Sequence, residues 1–167
     1  FLRLMAPILS FTAEEAFAIF SPNEVGSIFA ETFEPLPEVK GADALLAKWA
    51  RIRAVRADLQ KTIEEQREKN ALGSSLQANA RIEAAGELYD DLASLGDELR
   101  FVMIVSAVEL AKSADAETHL MVSVSTEQKC ARCWHYVPGV GSNAEHPTLC
   151  PRCVSNLFGS GEKRLFA

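Results

Sequence analysis

The sequence has no uninterrupted apolar run approaching the roughly 18 residues that a membrane-spanning helix needs. Its start, Phe1-Leu2-Arg3-Leu4, lacks both an initiator Met and the charged-then-apolar layout of a signal peptide. There is no internal repeat and no low-complexity tract. Phosphate-loop chemistry finds no support, because Gly159-Ser160-Gly161 is too short and no helix of its own follows it. No nucleophile and base stand in a pairing that would support catalysis. Basic side chains are the minority, 17 Lys and Arg against 23 Asp and Glu, and the net charge of −6 argues against a generic nucleic-acid binder. What remains is a soluble globular composition, 48% hydrophobic and 24% charged. At 167 residues the chain can form one ordinary domain or two small ones, with a modest core.

The average charge hides an uneven distribution. Residues 1–47 have a net charge of −5 and residues 82–127 of −8, whereas residues 48–81 reach +4 and residues 128–167 reach +3. Two basic islands between acidic stretches fit a protein that touches a polyanion at defined places and stays soluble elsewhere.

The opening residues read as the middle of a helix, which suggests a piece of a longer protein. That helix breaks at Pro7. Thr12-Ala13-Glu14-Glu15 has the form of a capping box, with Thr12 as N-cap and Glu15 reaching back. A short helix through Phe17, Ile19 and Phe20 should then stop near Ser21-Pro22. Residues 34–41 hold two prolines and read as a linker. Beyond it, with Asp43 as a plausible N-cap, Leu45, Trp49, Ile52, Val55, Leu59 and Ile63 recur at helical spacing. Arg51, Arg53, Arg56, Lys61, Arg67 and Lys69 lie mainly off that stripe, as a solvated face or as an RNA contact. Asn70 and Gly73 supply the stop.

The period then changes. Leu76, Ala78, Ala80 and Ile82 alternate with polar residues and predict a strand. Leu88–Leu95 predicts a helix ended by Gly96, the apolar run Phe101–Val105 a buried strand, and Leu120, Val122 and Val124 another strand. His119 in that last segment reads as a surface or packed residue.

All four cysteines fall in the last 40 residues, as Cys130-x2-Cys133, 16 residues, then Cys150-x2-Cys153. A C-x-x-C turn aims two thiolates at one centre, and two such turns complete a tetrahedron. Doubled pairs at this spacing point to zinc. Four protein ligands leave no open position, so the site is structural, and metal binding supplies the folding free energy of a tail too short for its own core. A disulfide pair lacks a secretory context. A thioredoxin-like site lacks its frame. Four-cysteine iron sites use similar spacing. With four thiolates available, His135 and His146 should lie outside the ligand set.

Lys129, Arg132 and Arg152 flank or sit inside the two turns, and Trp134, His135 and Tyr136 follow the first. Exposed aromatics beside cations can stack unpaired bases while the cations hold phosphates. Trp134 and Tyr136 could equally cover the metal as a miniature core, which is the favoured reading for Tyr136.

The segments Lys129-Cys-Ala-Arg-Cys-Trp-His135, His146-Pro-Thr-Leu-Cys-Pro-Arg-Cys-Val-Ser-Asn-Leu157 and Gly161-Glu-Lys-Arg-Leu-Phe-Ala167 resemble the C-terminal end of bacterial isoleucyl-tRNA synthetases. Ala6-Pro-Ile-Leu-Ser-Phe-Thr-Ala-Glu-Glu15 resembles the closing helices of the anticodon-binding bundle shared by the isoleucyl, valyl, leucyl and methionyl enzymes. Trp49–Lys61, Ile63-Glu64 and Gly73-Ser-Ser-Leu76 resemble the segment joining that bundle to the zinc module. The ending Phe166-Ala167 resembles the natural end of such a chain. The resemblance implies a parent class I isoleucine–tRNA ligase, which joins isoleucine to its tRNA through an adenylate made with ATP. The family's two ATP-binding signatures are missing here, so the segment itself should bind RNA and catalyse nothing.

The expected fold is α+β in three parts. Residues 1–34 end a helical bundle, residues 35–127 pack a long amphipathic helix on a sheet of about three strands, and residues 128–167 form a zinc-ribbon-like module. The expected ligands of one Zn2+ are Cys130, Cys133, Cys150 and Cys153. The expected RNA contacts are Arg132, Trp134, His135, Arg53, Arg56, Lys61, Lys163 and Arg164. The partners would be tRNA and the remainder of a cytoplasmic synthetase chain, with no membrane and no DNA. The alternative is a stand-alone zinc-ribbon adaptor for protein or DNA.

Overall fold

The computed structural model describes residues 1–23, 26–33 and 35–167. Glu34, where the expected bundle ends and the expected linker begins, lies outside the described residues. The chain divides into two compact units, Phe1–Ala42 and Asp43–Ala167.

In the first unit, α1 (Leu2–Met5) and α2 (Ser10–Phe20) are separated by a turn at Pro7, where the missing N–H ends the first helix. Helix α2 begins earlier than the capping box predicts. Leu9 is its N-cap, the Ser10 hydroxyl donates back to the Ala6 carbonyl at 3.0 Å, and Thr12 lies inside the helix. The Glu14 carboxylate instead accepts from the Ser27 hydroxyl and the Ile28 N–H, both at 2.9 Å, and so fixes the short 3-10 turn Ile28–Ala30. The buried residues are few: Ala6, Ala13, Phe17 and Ile28. Phe1, Ile8, Phe11, Ile19 and Phe20 are each more than 80% exposed.

The second unit is built on α3 (Ala42–Glu68). Ile52, Val55, Leu59 and Ile63 are buried along one stripe, with Trp49 packed beside them. At the start of the helix the expectation fails: Leu45 is exposed, and Asp43 lies in the first turn, where its charge favours the helix dipole, not at the N-cap. Asn70 ends the helix in the left-handed region at φ 56°, a conformation that asparagine tolerates.

Strand β1 (Ala78–Ala84) shows the period-two burial expected of it, with Ala78, Ala80, Ile82 and Ala84 facing the core. A turn at Ser75–Gln77 precedes it. Helix α4 (Gly86–Ala93) starts two residues before Leu88. The run Phe101–Val105 is not a strand. Leu99–Met103 form a short helix, α5, which buries Leu99 and Met103 one turn apart and ends at Ile104 in the left-handed region. A short apolar run has no period to separate strand from helix. Here the four-residue spacing of Leu99 and Met103 prevails.

The strand comes later, as β2 (Ala107–Lys112). It pairs parallel with β1, Ala80 opposite Val108, and β3 (His119–Val124) pairs antiparallel, Ala80 opposite Val122, in the order β2-β1-β3. A parallel pair needs a crossover, and residues 85–106, with α4 and α5, provide it. The inward faces of the three strands close on the α3 stripe in one core. Leu59 is fully buried there. Leu59→Ala should lower unfolding stability by about 2–5 kcal/mol, read from the denaturant midpoint at unchanged slope.

Candidate metal centre and its surroundings

The first cysteine turn is closed by two backbone bonds, Trp134 N–H to the Cys130 carbonyl and Cys130 N–H to the His135 carbonyl, both 2.9 Å. Closing it places Trp134 at φ 65°, a left-handed conformation rarely adopted by a bulky residue. The second pair opens helix α6 (Pro151–Phe158). Cys150 is its N-cap, Pro151 has the preset φ favoured at the first helical position, and Cys153 lies in the first turn. The turns are tied by Ala131 N–H to the Thr148 carbonyl at 3.0 Å and by Cys150 N–H to Cys130 Sγ at 3.3 Å. Gly141, at φ 82°, is needed in the connection: a Cβ there would meet the Pro147 carbonyl oxygen at 2.9 Å.

All four sulfurs lie within 4.8 Å of one another, and Cys133 and Cys150 Sγ are 3.8 Å apart. A tetrahedron of ~2.3 Å Zn–S bonds has edges of about 3.8 Å, so the donors fit a zinc ion. Burial opposes ionisation at Cys130, yet the N–H groups of Cys133, Cys150 and Arg132 bring its thiol down to about 6. Burial and the neighbouring sulfurs push Cys133 up to about 12, and burial raises Cys150 as well. A cation among the sulfurs would offset the repulsion between neighbouring thiolates. The cluster is suited to one zinc ion.

Zinc with four thiolates carries a charge of −2, and two arginines face that charge. Arg132 Nη1 stands 3.6 Å from Cys153 Sγ. Arg152 is held charged against its partial burial by Glu162, at 2.8 Å, and by Cys133 and Cys153. Both nearby histidines are outside the ligand set. His146 stacks on Phe158 at 3.9 Å. The His135 Nδ1–H donates to the Cys133 carbonyl at 3.1 Å, and its ring meets Phe101 edge-on at 5.5 Å. Burial lowers the His135 pKa, and Arg152, Arg100 and Arg164 lower it further.

The expected RNA contacts divide by accessibility. Trp134 is 60% exposed and has Lys129 Nζ 5.6 Å above its ring. Tyr136 is half-buried and donates its N–H to the Ser106 hydroxyl. Arg132, Trp134 and His135 share one turn, although His135 turns inward. Arg53, Arg56 and Lys61 are exposed on a separate element, α3, whose Arg51 is held by Asp91 and Glu87. Lys163 is exposed, while Arg164 is engaged by Glu162 at 2.9 Å, by the Ala167 carbonyl and by the Phe101 ring at 4.1 Å.

Sequence reasoning missed the cluster around Phe101. Arg100, Arg152 and Arg164 all lie within 5 Å of that ring. Residues up to 64 positions apart leave no local signal of such a meeting. A second group with ligand-type side chains has Asp115 and Glu117 exposed and His119 half-buried, and its Asp115 and His119 pair with each other at 2.9 Å. Among the described residues, no helix is long and apolar enough to cross a membrane.

Residues 127–156 match a family model described as "Zinc finger found in FPG and IleRS". The chain is 57% identical over 164 residues to an isoleucine–tRNA ligase of Paraburkholderia xenovorans (strain LB400), covering 98% of this chain and 17% of that protein. It is 54% identical over 170 residues to one of Janthinobacterium sp. (strain Marseille), covering 99% of this chain and 18% of that one. An isoleucine–tRNA ligase of Burkholderia mallei (strain ATCC 23344) is 53% identical over 98% of the chain. The chain thus spans about a sixth of the length of these relatives. In sequence the chain is thus similar along nearly its whole length to a segment of isoleucine–tRNA ligases, with the zinc-finger match inside that segment.

Proposed function

We propose that this chain is the tRNA-recognition segment of an isoleucine–tRNA ligase, contacting the anticodon region, while ATP use and adenylate formation belong to residues outside it. The observation that carries the proposal is Trp134: an indole 60% exposed, with an ammonium above it, directly after the turn that brings Cys130 and Cys133 into the four-cysteine cluster. Unpaired bases of an RNA loop can stack on such a face, and every base has one. The relatives, named for ligating isoleucine to tRNA, supply the substrate class. Catalysis would take place in the cytoplasm on the rest of the synthetase chain. DNA and membranes are not partners in this reading. A stand-alone adaptor is disfavoured, because similarity to the ligases extends over 98% of the chain and well beyond the zinc finger.

Arg53, Arg56 and Lys61 add exposed positive charge on α3. Phosphate contacts position an RNA without reading its sequence, so each one lost should reduce the salt slope by about one. The Arg53→Ala, Arg56→Ala, Lys61→Ala triple variant should weaken all tRNAs alike and flatten the dependence of affinity on salt. Unchanged affinity and slope would leave these charges as a solvated face.

A further inference from the structure

The last residues of the chain do not trail away from the metal module. The Glu98 carboxylate, at the start of α5, accepts three successive backbone N–H groups: Leu165 at 2.7 Å, Phe166 at 2.6 Å and Ala167 at 2.8 Å. Burial alone would raise its pKa, but these donors and Arg164 hold the carboxyl below the usual range. Upstream, Glu162 gathers Arg152 and Asn156 of α6 together with Arg164. Arg164 lies over Phe101, and Lys48 of α3 lies 6.0 Å from the Phe166 ring. Residues 162–167 therefore run from α6 back to α5 and α3. Apart from this strap, the module meets the sheet-bearing body where Tyr136 N–H donates to Ser106 Oγ and where His135 and Arg152 lie against the Phe101 ring.

We propose that Glu98 is a positioning residue. By docking the backbone of residues 165–167 it holds the four-cysteine module in one orientation on the α+β body. Trp134 and the basic face of α3 then meet RNA as one rigid surface, an extension that rests on the RNA-binding reading above. Those contacts gather at Ser106 and the Phe101 ring, and the strap, reached through the far end of α6, adds Glu98 and Lys48 as further anchors. Two contact surfaces on a rigid body reinforce one another through effective concentration and lose less ordering entropy on binding.

Glu98→Gln tests this in the zinc-loaded protein at its full natural length. Glutamine offers one acceptor oxygen and turns an NH2 toward the tail's own donors. Amide exchange at residues 165–167 should rise about tenfold. The Tyr136 amide should exchange faster too, while zinc content and the β1 amides stay unchanged. Affinity for tRNA should fall several-fold, yet fall little further when Trp134 is already Ala, because the platform to be positioned is gone. Glu98→Asp, which keeps the charge, should restore part of the loss. If Trp134→Ala by itself leaves tRNA binding intact, the RNA reading fails, and Tyr136 exchange then decides the strap alone. Unchanged Tyr136 exchange in Glu98→Gln, or an equal loss of affinity with and without Trp134, overturns the inference.

Discussion

Replacing any one of Cys130, Cys133, Cys150 or Cys153 with Ser should abolish stoichiometric zinc and unfold the module while the α+β body stays folded. Residues 128–167 have little else to hold them. Their buried side chains are three of the cysteines themselves, with Val137, Val140 and Leu149 packed around. Structural zinc contributes on the order of 10–16 kcal/mol to the folding of small metal modules, far more than so small a core can replace. Without the ion, four sulfurs within 4.8 Å of one another cannot all be ionised, and the buried cluster loses its centre. The body's core, formed by the α3 stripe and the three strands, excludes every cysteine. Native mass spectrometry should find one zinc in the parent protein and none in the variant. Amide exchange should show fast exchange across residues 128–158 and retained protection in β1 and α3. A metal-free chain in which residues 128–158 remain protected would refute the structural role. The body should lose some stability as well, because Ser106 Oγ gives up the Tyr136 N–H that it accepts.

Trp134→Ala should cost about ten- to a hundredfold in aminoacylation efficiency of the full-length enzyme, with isoleucyl-adenylate formation unchanged. Stacking one base on an aromatic ring contributes about 1–3 kcal/mol, and each 1.4 kcal/mol is a factor of ten. Trp134 is the cleaner probe of its turn, because its ring is 60% exposed. Arg132→Ala should also weaken tRNA use, but Arg132 Nη1 faces Cys153 Sγ at 3.6 Å, so that change disturbs the charge balance of the metal site too. Trp134→Phe keeps an aromatic face and should recover much of the activity. Adenylate formation requires no tRNA, so it controls for global damage, and zinc content controls for the module. Normal aminoacylation by a zinc-replete Trp134→Ala enzyme would mean that the exposed indole reads no base.

The parts of this molecule legible in the sequence are those that a few neighbouring residues dictate. The stripe Ile52, Val55, Leu59 and Ile63 is a helical period sustained over three turns, and it is buried as read. Strand β1 alternates, and its inward residues are buried. The doubled C-x-x-C spacing pointed to one metal cluster, and the four sulfurs do come together within 4.8 Å. Reading failed where local rules competed. Thr12 matched a capping box, but the helix found an earlier start at Ser10. Phe101–Val105 carried no period, and Ala107–Lys112, mixed in composition, is a strand only because β1 is beside it.

By itself, then, the sequence determined the four-cysteine cluster, the long amphipathic helix and the likeness to a ligase segment. The tertiary structure alone decided that Trp134 faces solvent while His135 turns inward. It also decided that Arg100, Arg152 and Arg164 meet on one ring, and that Glu98 receives the last three residues of the chain. The physical reason is range. Helical period and ligand spacing are set within a few residues, whereas the Phe101 seat joins segments some 65 residues apart. Contacts between such distant segments carry a loop-closure entropy that no local pattern reports.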